Sequence, residues 1–172
     1  NEDMVICEGE EITLTATASN GTITWDNGVI DGEAFIPTET TTYTATADNN
    51  GCTSTDEVTV IVKETPAINA GQDTDICEGE EITLTATVSS GTVTWDNGVT
   101  DGEAFTPTET TIYTASVEVD GCTNTDQVTI TVNDMPTIEA NEDMEICEGE
   151  EVTLSATASN GTITWDNGVI DG

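Results

Sequence analysis

The segment EITLTATA, residues 11–18, alternates apolar and polar side chains with a period of two. Ile12 and Leu14 share one face with the alanines, and the threonines share the other, which is typical of a β-strand with one buried face. TITW (22–25), TTYTATA (41–47) and EVTVIV (57–62) repeat this alternation. Because no segment has helical spacing of any length, the sequence predicts an all-β protein.

Turn signals separate these segments. Asn20-Gly21 lies between the first two, and Asn-Gly is a strong hairpin signal because both residues tolerate positive φ. Short strands with turn signals every ten or so residues predict a β-sandwich.

The whole pattern recurs with a period of 70 residues, and about two-thirds of the positions match between the first two copies. The chain is therefore divided into unit 1 (1–70), unit 2 (71–140) and the first part of unit 3 (141–172). Differences between units 1 and 2 concentrate near the junctions and at 46–50 against 116–120, which predicts a loop there. At this size each core must be thin. Its predicted residues are the leucine, tryptophan and tyrosine of each unit: Leu14, Trp25, Tyr43, Leu84, Trp95, Tyr113 and Trp165.

Each complete unit contains two cysteines, which predicts one disulfide per unit in an oxidising compartment. The expected pairs are Cys7 with Cys52 and Cys77 with Cys122; buried free thiols are the alternative. Cys147 would pair 70 residues after Cys122, near position 192, outside the sequence. Such a bond would stabilise a unit by about 4 kcal/mol on the chain-entropy model.

The chain is strongly acidic. Its 172 residues include 35 carboxylates, one basic residue, Lys63, and no histidine, for a net charge of −34. This charge argues against nucleic acid and anionic membranes as partners, and no apolar run is long enough to insert into a membrane. The absence of histidine, of a Ser/His or Cys/His pair and of a phosphate-binding glycine loop argues against an enzyme.

Two groups of carboxylates raise the possibility of calcium, although no cofactor is certain. Asp26, Asn27, Asp31 and Glu33 supply hard oxygen ligands within eight residues, but not in EF-hand order. The favoured alternative is a pair of tight turns, at Asp26-Asn27-Gly28 and at Asp31-Gly32. The second group flanks the junctions, where solvated linker carboxylates are the favoured alternative: Asp3, Glu64, Asp73, Asp75, Asp134 and Asp143.

The segments CEGEEITLTATASNGTITWDNGV (7–29) and PTETTTYTATADNNGCTSTDEVTV (37–60) carry a family resemblance. They resemble the immunoglobulin-like or PKD-like repeats of giant secreted surface proteins of the Bacteroidota, including gliding-motility adhesins and surface filaments. The resemblance implies tandem immunoglobulin-like sandwiches arranged as a rod and exported, often by type IX secretion. Unlike antibody domains, these units carry cysteines outside the clear central strands, so the disulfide is expected to staple one end of the sandwich.

The main hypothesis is a structural shaft, extracellular and at the cell surface, that holds a binding tip away from the cell for attachment or gliding. Its partners would be the neighbouring repeats of the same chain. The alternative is a repeated glycan- or protein-binding module acting by avidity, which requires an exposed aromatic platform. Lateral assembly through edge strands is a third hypothesis, opposed by like charge.

Overall fold

The computed structural model describes residues 2–169, so the last three residues of unit 3 lie outside the described part. The strands of unit 1 are β1 (Met4–Cys7), β2 (Ile12–Thr13), β3 (Thr22–Trp25), β4 (Ala34–Phe35), β5 (Thr41–Asn49) and β6 (Cys52–Lys63). They are followed by β7 (Ile68–Asn69), β8 (Thr74–Cys77), β9 (Ile82–Thr83), β10 (Thr87–Val88), β11 (Val93–Trp95), β12 (Ala104–Phe105), β13 (Thr111–Val119) and β14 (Cys122–Asn133). The last two are β15 (Ile138–Ala140) and β16 (Ala156–Ala158).

All regular structure in residues 2–169 is β, as predicted, and no helix there is long and apolar enough to cross a membrane. One sheet of unit 1 has the order β1-β6-β5-β3, and β2 pairs with β4 separately. Unit 2 repeats this with β8-β14-β13-β11 and with β9-β12. The first strand runs parallel to the last, and the two hairpin partners divide between two sheets. This is an immunoglobulin-like sandwich, which confirms the predicted fold class.

The long hairpin of β5 and β6 differs from the prediction. Residues 46–49 are not a loop but the end of β5, where Asn49 pairs with Cys52. The connection is the two-residue turn Asn50-Gly51, with φ of 54° and 91°, which suits the twist of antiparallel strands. The prediction of a loop failed because exposed strand positions can diverge in sequence as loops do.

The first predicted strand is interrupted. Only Ile12 and Thr13 of segment 11–18 form a strand in unit 1. Beyond them the backbone bonds to a turn instead of a neighbouring strand: Leu14 accepts from the Gly32 amide at 2.9 Å, and the Ala16 amide donates to Asp31 Oδ1 at 2.8 Å. The alternating pattern therefore marks the buried face correctly without requiring a continuous ladder.

The cores of the two units lie between their sheets. Leu14 is fully buried in unit 1, with Tyr43 and Val60 around it, and the Phe35 ring meets Tyr43 edge-on at 5.3 Å. The predicted core residues of unit 2 are all buried: Leu84, Trp95 and Tyr113. Trp25 and Trp165 are only partly buried.

Unit 3 has little regular structure in its described residues. Residues 144–147, which correspond to β1 and β8, form no strand, and Ile146 is 53% exposed, whereas the corresponding Ile6 is 8% exposed. The reason is that β1 and β8 are held by β6 and β14, and residues 141–169 include no counterpart of those long strands. The unit boundaries at 70 and 140 stay predictions.

Candidate functional site: the joint between units

A disulfide connects consecutive units. Cys7 of unit 1 bonds to Cys122 of unit 2, with the Cα atoms 5.6 Å apart and 115 residues between them in sequence. Cys52, Cys77 and Cys147 are exposed and carry free thiols. The predicted pairs Cys7–Cys52 and Cys77–Cys122 are therefore wrong.

The direction of the strands explains this correction. Cys7 lies opposite Lys63, the last residue of β6, whereas Cys52 is the first residue of the same strand. A strand of this length separates them by about 35 Å, and a disulfide requires Cα atoms within about 7 Å. The cysteines of one unit thus lie at opposite ends, and each faces a different neighbour.

The segment that connects the units is a strand of the following sandwich. By the sequence period β7 lies in unit 1, but it pairs with β10 of unit 2, Ile68 opposite Val88 and Asn69 opposite Thr87. Pro66 is buried, and Ala70 is 2% exposed within the core of unit 2. The connection is consequently anchored by burial as well as by backbone pairing.

Three polar side chains of unit 2 hold this segment. Asp126 Oδ2 accepts from the Ala70 amide at 2.9 Å, and Asn124 Nδ2 donates to the Pro66 carbonyl at 3.0 Å. Ser89 binds Ala67 twice, because its Oγ accepts from the Ala67 amide at 2.9 Å and its amide donates to the Ala67 carbonyl at 3.0 Å. These bonds fix the register of the segment as well as its position.

The basic residue of the sequence also lies at the joint. Lys63 Nζ is 3.7 Å from Asp120 Oδ2, and both side chains are substantially exposed. An ion pair of this kind contributes at most about 1 kcal/mol. It adds a third contact between the units but contributes far less than the disulfide and the buried strand.

Most of the residues that hold the joint were missed by sequence reasoning. Asn124, Asp126 and Ser89 were not singled out, and β7 was treated as a linker. A signal existed: Pro66-x-Ile68-x-Ala70 alternates with a period of two, and Pro136-x-Ile138-x-Ala140 repeats it. Such alternation predicts a half-buried strand.

The junction carboxylates that were considered for calcium do not converge. Asp3 Oδ1 accepts from the Thr59 amide at 2.8 Å, and Asp73 Oδ1 accepts from the Thr129 amide at 2.7 Å, so each closes the edge of a β-ladder. The others are exposed: Glu64, Asp75, Asp134 and Asp143. Among residues 2–169 no three acidic, cysteine or histidine side chains lie close enough to hold a metal. Calcium binding at the joint stays a prediction.

The motif WDNGVIDG, residues 25–32, forms two turns. Asn27 and Gly28 have φ of 52° and 77°, and the Val29 amide donates to the Asp26 carbonyl at 3.2 Å. Gly32 has φ of 77° in the second turn. Positive φ at these positions accounts for the Asn and Gly residues without a metal.

The carboxylates of the motif connect it to the sandwich. Asp26 Oδ1 accepts from the Thr44 amide at 2.9 Å, and Asp31 Oδ1 accepts from Trp25 Nε1 at 2.9 Å as well as from the Ala16 amide. In unit 2, Asp101 makes the same bonds to Trp95 Nε1 and to the Ala86 amide. The motif therefore orients the tryptophan in both complete units.

These bonds give Asp31 a pH signature. The Trp25 hydrogen bond, followed by that of Ala16, lowers the pKa of Asp31 below its ordinary value of 3.8. Because the pKa is lower in the folded state, the stabilisation is complete above the ordinary pKa and is lost as the pH falls through the folded value. We expect a carboxyl titration followed by NMR to place the Asp31 pKa below 3.8, and Trp25→Phe to move it up. An Asp31 pKa that is unchanged by Trp25→Phe would contradict this assignment.

Comparison with known proteins gives structural neighbours only. No family model matches the chain, and no curated protein matches it. Among solved structures, it is similar to the insect immune protein hemolin, whose domain arrangement has implications for homophilic adhesion, at 16% identity and a TM-score of 0.46, over 77% of this chain and 45% of hemolin. It is similar to extracellular domains 3–5 of Drosophila OTK at 11% identity and a TM-score of 0.44, over 77% of this chain and 59% of that one.

A further similarity is to immunoglobulin domains 1–5 of Sidekick-1, at 16% identity and a TM-score of 0.37, over 91% of this chain and 45% of that one. The chain spans about half the length of these neighbours. With identities of at most 16% and TM-scores below 0.5, the similarities carry no argument about function.

Proposed function

We propose that this chain is a segment of a structural shaft, in which tandem immunoglobulin-like repeats hold a binding tip away from a cell surface. The observation that carries the proposal is the Cys7–Cys122 disulfide between consecutive units. Together with the connecting strand and the Lys63–Asp120 pair, it restricts the angle between neighbours. A stiff joint serves a spacer, whereas modules that act by avidity gain from freedom to reorient.

The positions of the free cysteines extend this arrangement along the array. Cys77 corresponds to Cys7, so its partner is the cysteine 70 residues after Cys122, near position 192. Cys52 corresponds to Cys122, so its partner belongs to a preceding repeat. Position 192 is thus assigned to Cys77 and not to Cys147, and every joint of the shaft carries one disulfide.

Charge and aromatic content support a shaft over a binding module. Trp95 is 9% exposed and bonded to Asp101, so it offers no aromatic platform. The acidic surface keeps neighbouring shafts apart and soluble. A protein held together by interdomain disulfides belongs in an oxidising compartment, which supports an extracellular location. The resemblance to repeats of Bacteroidota gliding adhesins places the proposed shaft among exported surface proteins of that kind.

Small-angle X-ray scattering of the whole chain, oxidised and then reduced, tests the shaft. Each long strand implies a unit about 40 Å long, so the two complete units end to end should span about 80 Å. We expect an elongated particle when oxidised and a broader distribution of interdomain distances after reduction. A compact oxidised particle, or joints that bend equally in both states, would argue against a shaft. The variant Cys52→Ser, which leaves the joint intact, is the matched control.

A further inference from the structure

Unit 1 contains an open groove where unit 2 is filled. The groove, a cavity of about 580 Å³, lies between residues 15–20 and the first half of β6, with Trp25 and Ala47 among its lining residues. The corresponding space in unit 2 lies between residues 85–90 and the first half of β14. There it contains Pro66 to Ala70, the segment that includes β7.

The difference appears at every matched position of the two grooves. Ala86, Trp95 and Cys122 are buried in unit 2. Their counterparts Ala16 and Trp25 are only partly buried, and Cys52 is exposed. The side chains around the groove of unit 1 are thus arranged for burial, but nothing in the described residues covers them.

Backbone structure follows the same rule. Residues 87–88 form β10 beside β7, and residues 156–158 form β16 beside β15. Residues 17–18 correspond to β10 yet form no strand. Where a connecting strand is present, this segment is a strand, and where none is present, it is not. The edge in unit 1 is therefore unpaired.

We propose that the groove of unit 1 binds an extended strand of the type Pro-x-Ile-x-Ala, supplied by a preceding repeat of the same kind. Asp56 occupies the position of Asp126 and is exposed, with no hydrogen bond to another described residue. It accepts the last amide of the incoming strand, as Asp126 accepts that of Ala70. Segment 17–19 supplies the paired edge, as β10 does for β7. This is strand addition to a sheet edge.

Two features identify the occupant as a repeat and not as an unrelated peptide. The repeat that supplies the strand to unit 2 also supplies Cys7, the partner of Cys122. Cys52, the counterpart of Cys122, borders the groove with a free thiol. A preceding repeat of this type delivers the strand and the second cysteine together. The two thiols form the disulfide by passing two protons and two electrons to a disulfide oxidant, such as a thiol–disulfide oxidoreductase.

Charge also restricts the occupant. The β6 edge of the groove includes Asp56 and Glu57, so an acidic strand is disfavoured. The segment 66–70 is uncharged and has apolar residues at alternate positions. The proposal goes beyond the shaft, because a groove that binds strands would exist in a binding module as well.

The sequence period provides a test in register. Residue 71 corresponds to residue 1, so Glu-Thr-Pro-Ala-Ile-Asn-Ala, the sequence of 64–70, can be placed directly before Asn1 in the full chain. We expect the extended chain to unfold at a midpoint about 5 °C higher. Amide exchange at residues 17–19 should slow by about tenfold. The matched control is the same extension with its isoleucine replaced by aspartate.

The free peptide of sequence 64–70 tests binding without a covalent link. Added to the unmodified chain, it should slow amide exchange at residues 17–19, and Asp56→Ala should weaken this protection several-fold. Asp56 is exposed, so this variant leaves the sandwich intact. The peptide carrying Ile68→Asp should have no effect.

The proposal is overturned if the extension and its aspartate control give the same midpoint and the same exchange rates. It is equally overturned if the peptide protects residues 87–89 of unit 2 but not 17–19. Neither result bears on the scattering experiment, because an elongated particle with stiff joints is compatible with an unoccupied groove. Failure of the groove and failure of the shaft are therefore distinguishable.

Discussion

The variant Cys7→Ser will lower the free energy of unfolding by about 4 kcal/mol, because it opens a covalent loop that spans both complete units. The two cysteines are 115 residues apart, and on the chain-entropy model a loop of this length restricts the unfolded chain more than a loop within one unit would. Cys7 is only partly buried, so serine costs little in packing. The effect therefore measures the cross-link itself.

Chemical denaturation under non-reducing conditions measures this effect, with Cys52→Ser as the control. Pairing within a unit predicts equal losses for the two variants, whereas the observed pairing predicts almost no change for Cys52→Ser. Peptide mapping of the oxidised chain should recover the fragment with Cys7 bonded to the fragment with Cys122. Equal destabilisation by the two variants, or a Cys7–Cys52 peptide, would refute the joint described above.

The variant Gly21→Ala will destabilise unit 1 by roughly 3 kcal/mol or more, because two penalties combine at this position. Gly21 has φ of +90°, which an L side chain rarely adopts, and a Cβ there would lie 2.3 Å from the Asp48 carbonyl oxygen. That oxygen belongs to the backbone of β5, so it cannot rotate away. Relief requires the turn before β3 to move away from β5.

Gly51→Ala separates the two penalties. Gly51 has nearly the same backbone conformation, with φ of +91°, but nothing lies within 4 Å of the position that a Cβ would occupy there. This control should cost only about 1 kcal/mol, the conformational penalty alone. Thermal unfolding of both variants gives the comparison. If the two variants lose equal stability, the close approach of Gly21 to β5 is not a constraint on the fold.

Local patterns in the sequence predicted the sandwich but not the joint. The alternation in TTYTATA and EVTVIV is a property of single strands, and it correctly indicated which side chains face the core, such as Tyr43 and Val58. The turns of WDNGVIDG were also predictable, because Asn27, Gly28 and Gly32 are residue types that accept positive φ. Neither inference requires knowledge of a neighbouring strand.

The cysteine pairing depended on information that no local pattern contains. Assigning Cys7 to Cys122 requires knowing that β1 runs parallel to β6, which puts Cys7 and Cys52 at opposite ends of the unit. Counting two cysteines per repeat gives the right number of bonds per repeat but cannot distinguish bonds within units from bonds between them. The groove of unit 1 is likewise visible only by comparison with the occupied groove of unit 2.

The bond between Cys7 and Cys122 determines how the molecule carries tension. When its ends are pulled apart, load enters through β1, crosses the sulfur atoms and leaves through β14, so residues 8–121 bear none of it. About 400 Å of contour length is thus withheld from extension while the bond is intact. If the same bond recurs at every repeat, successive closed loops overlap, and an array under load holds a constant length. Reduction of these bonds would release the stored length one repeat at a time and convert an inextensible tether into an extensible one.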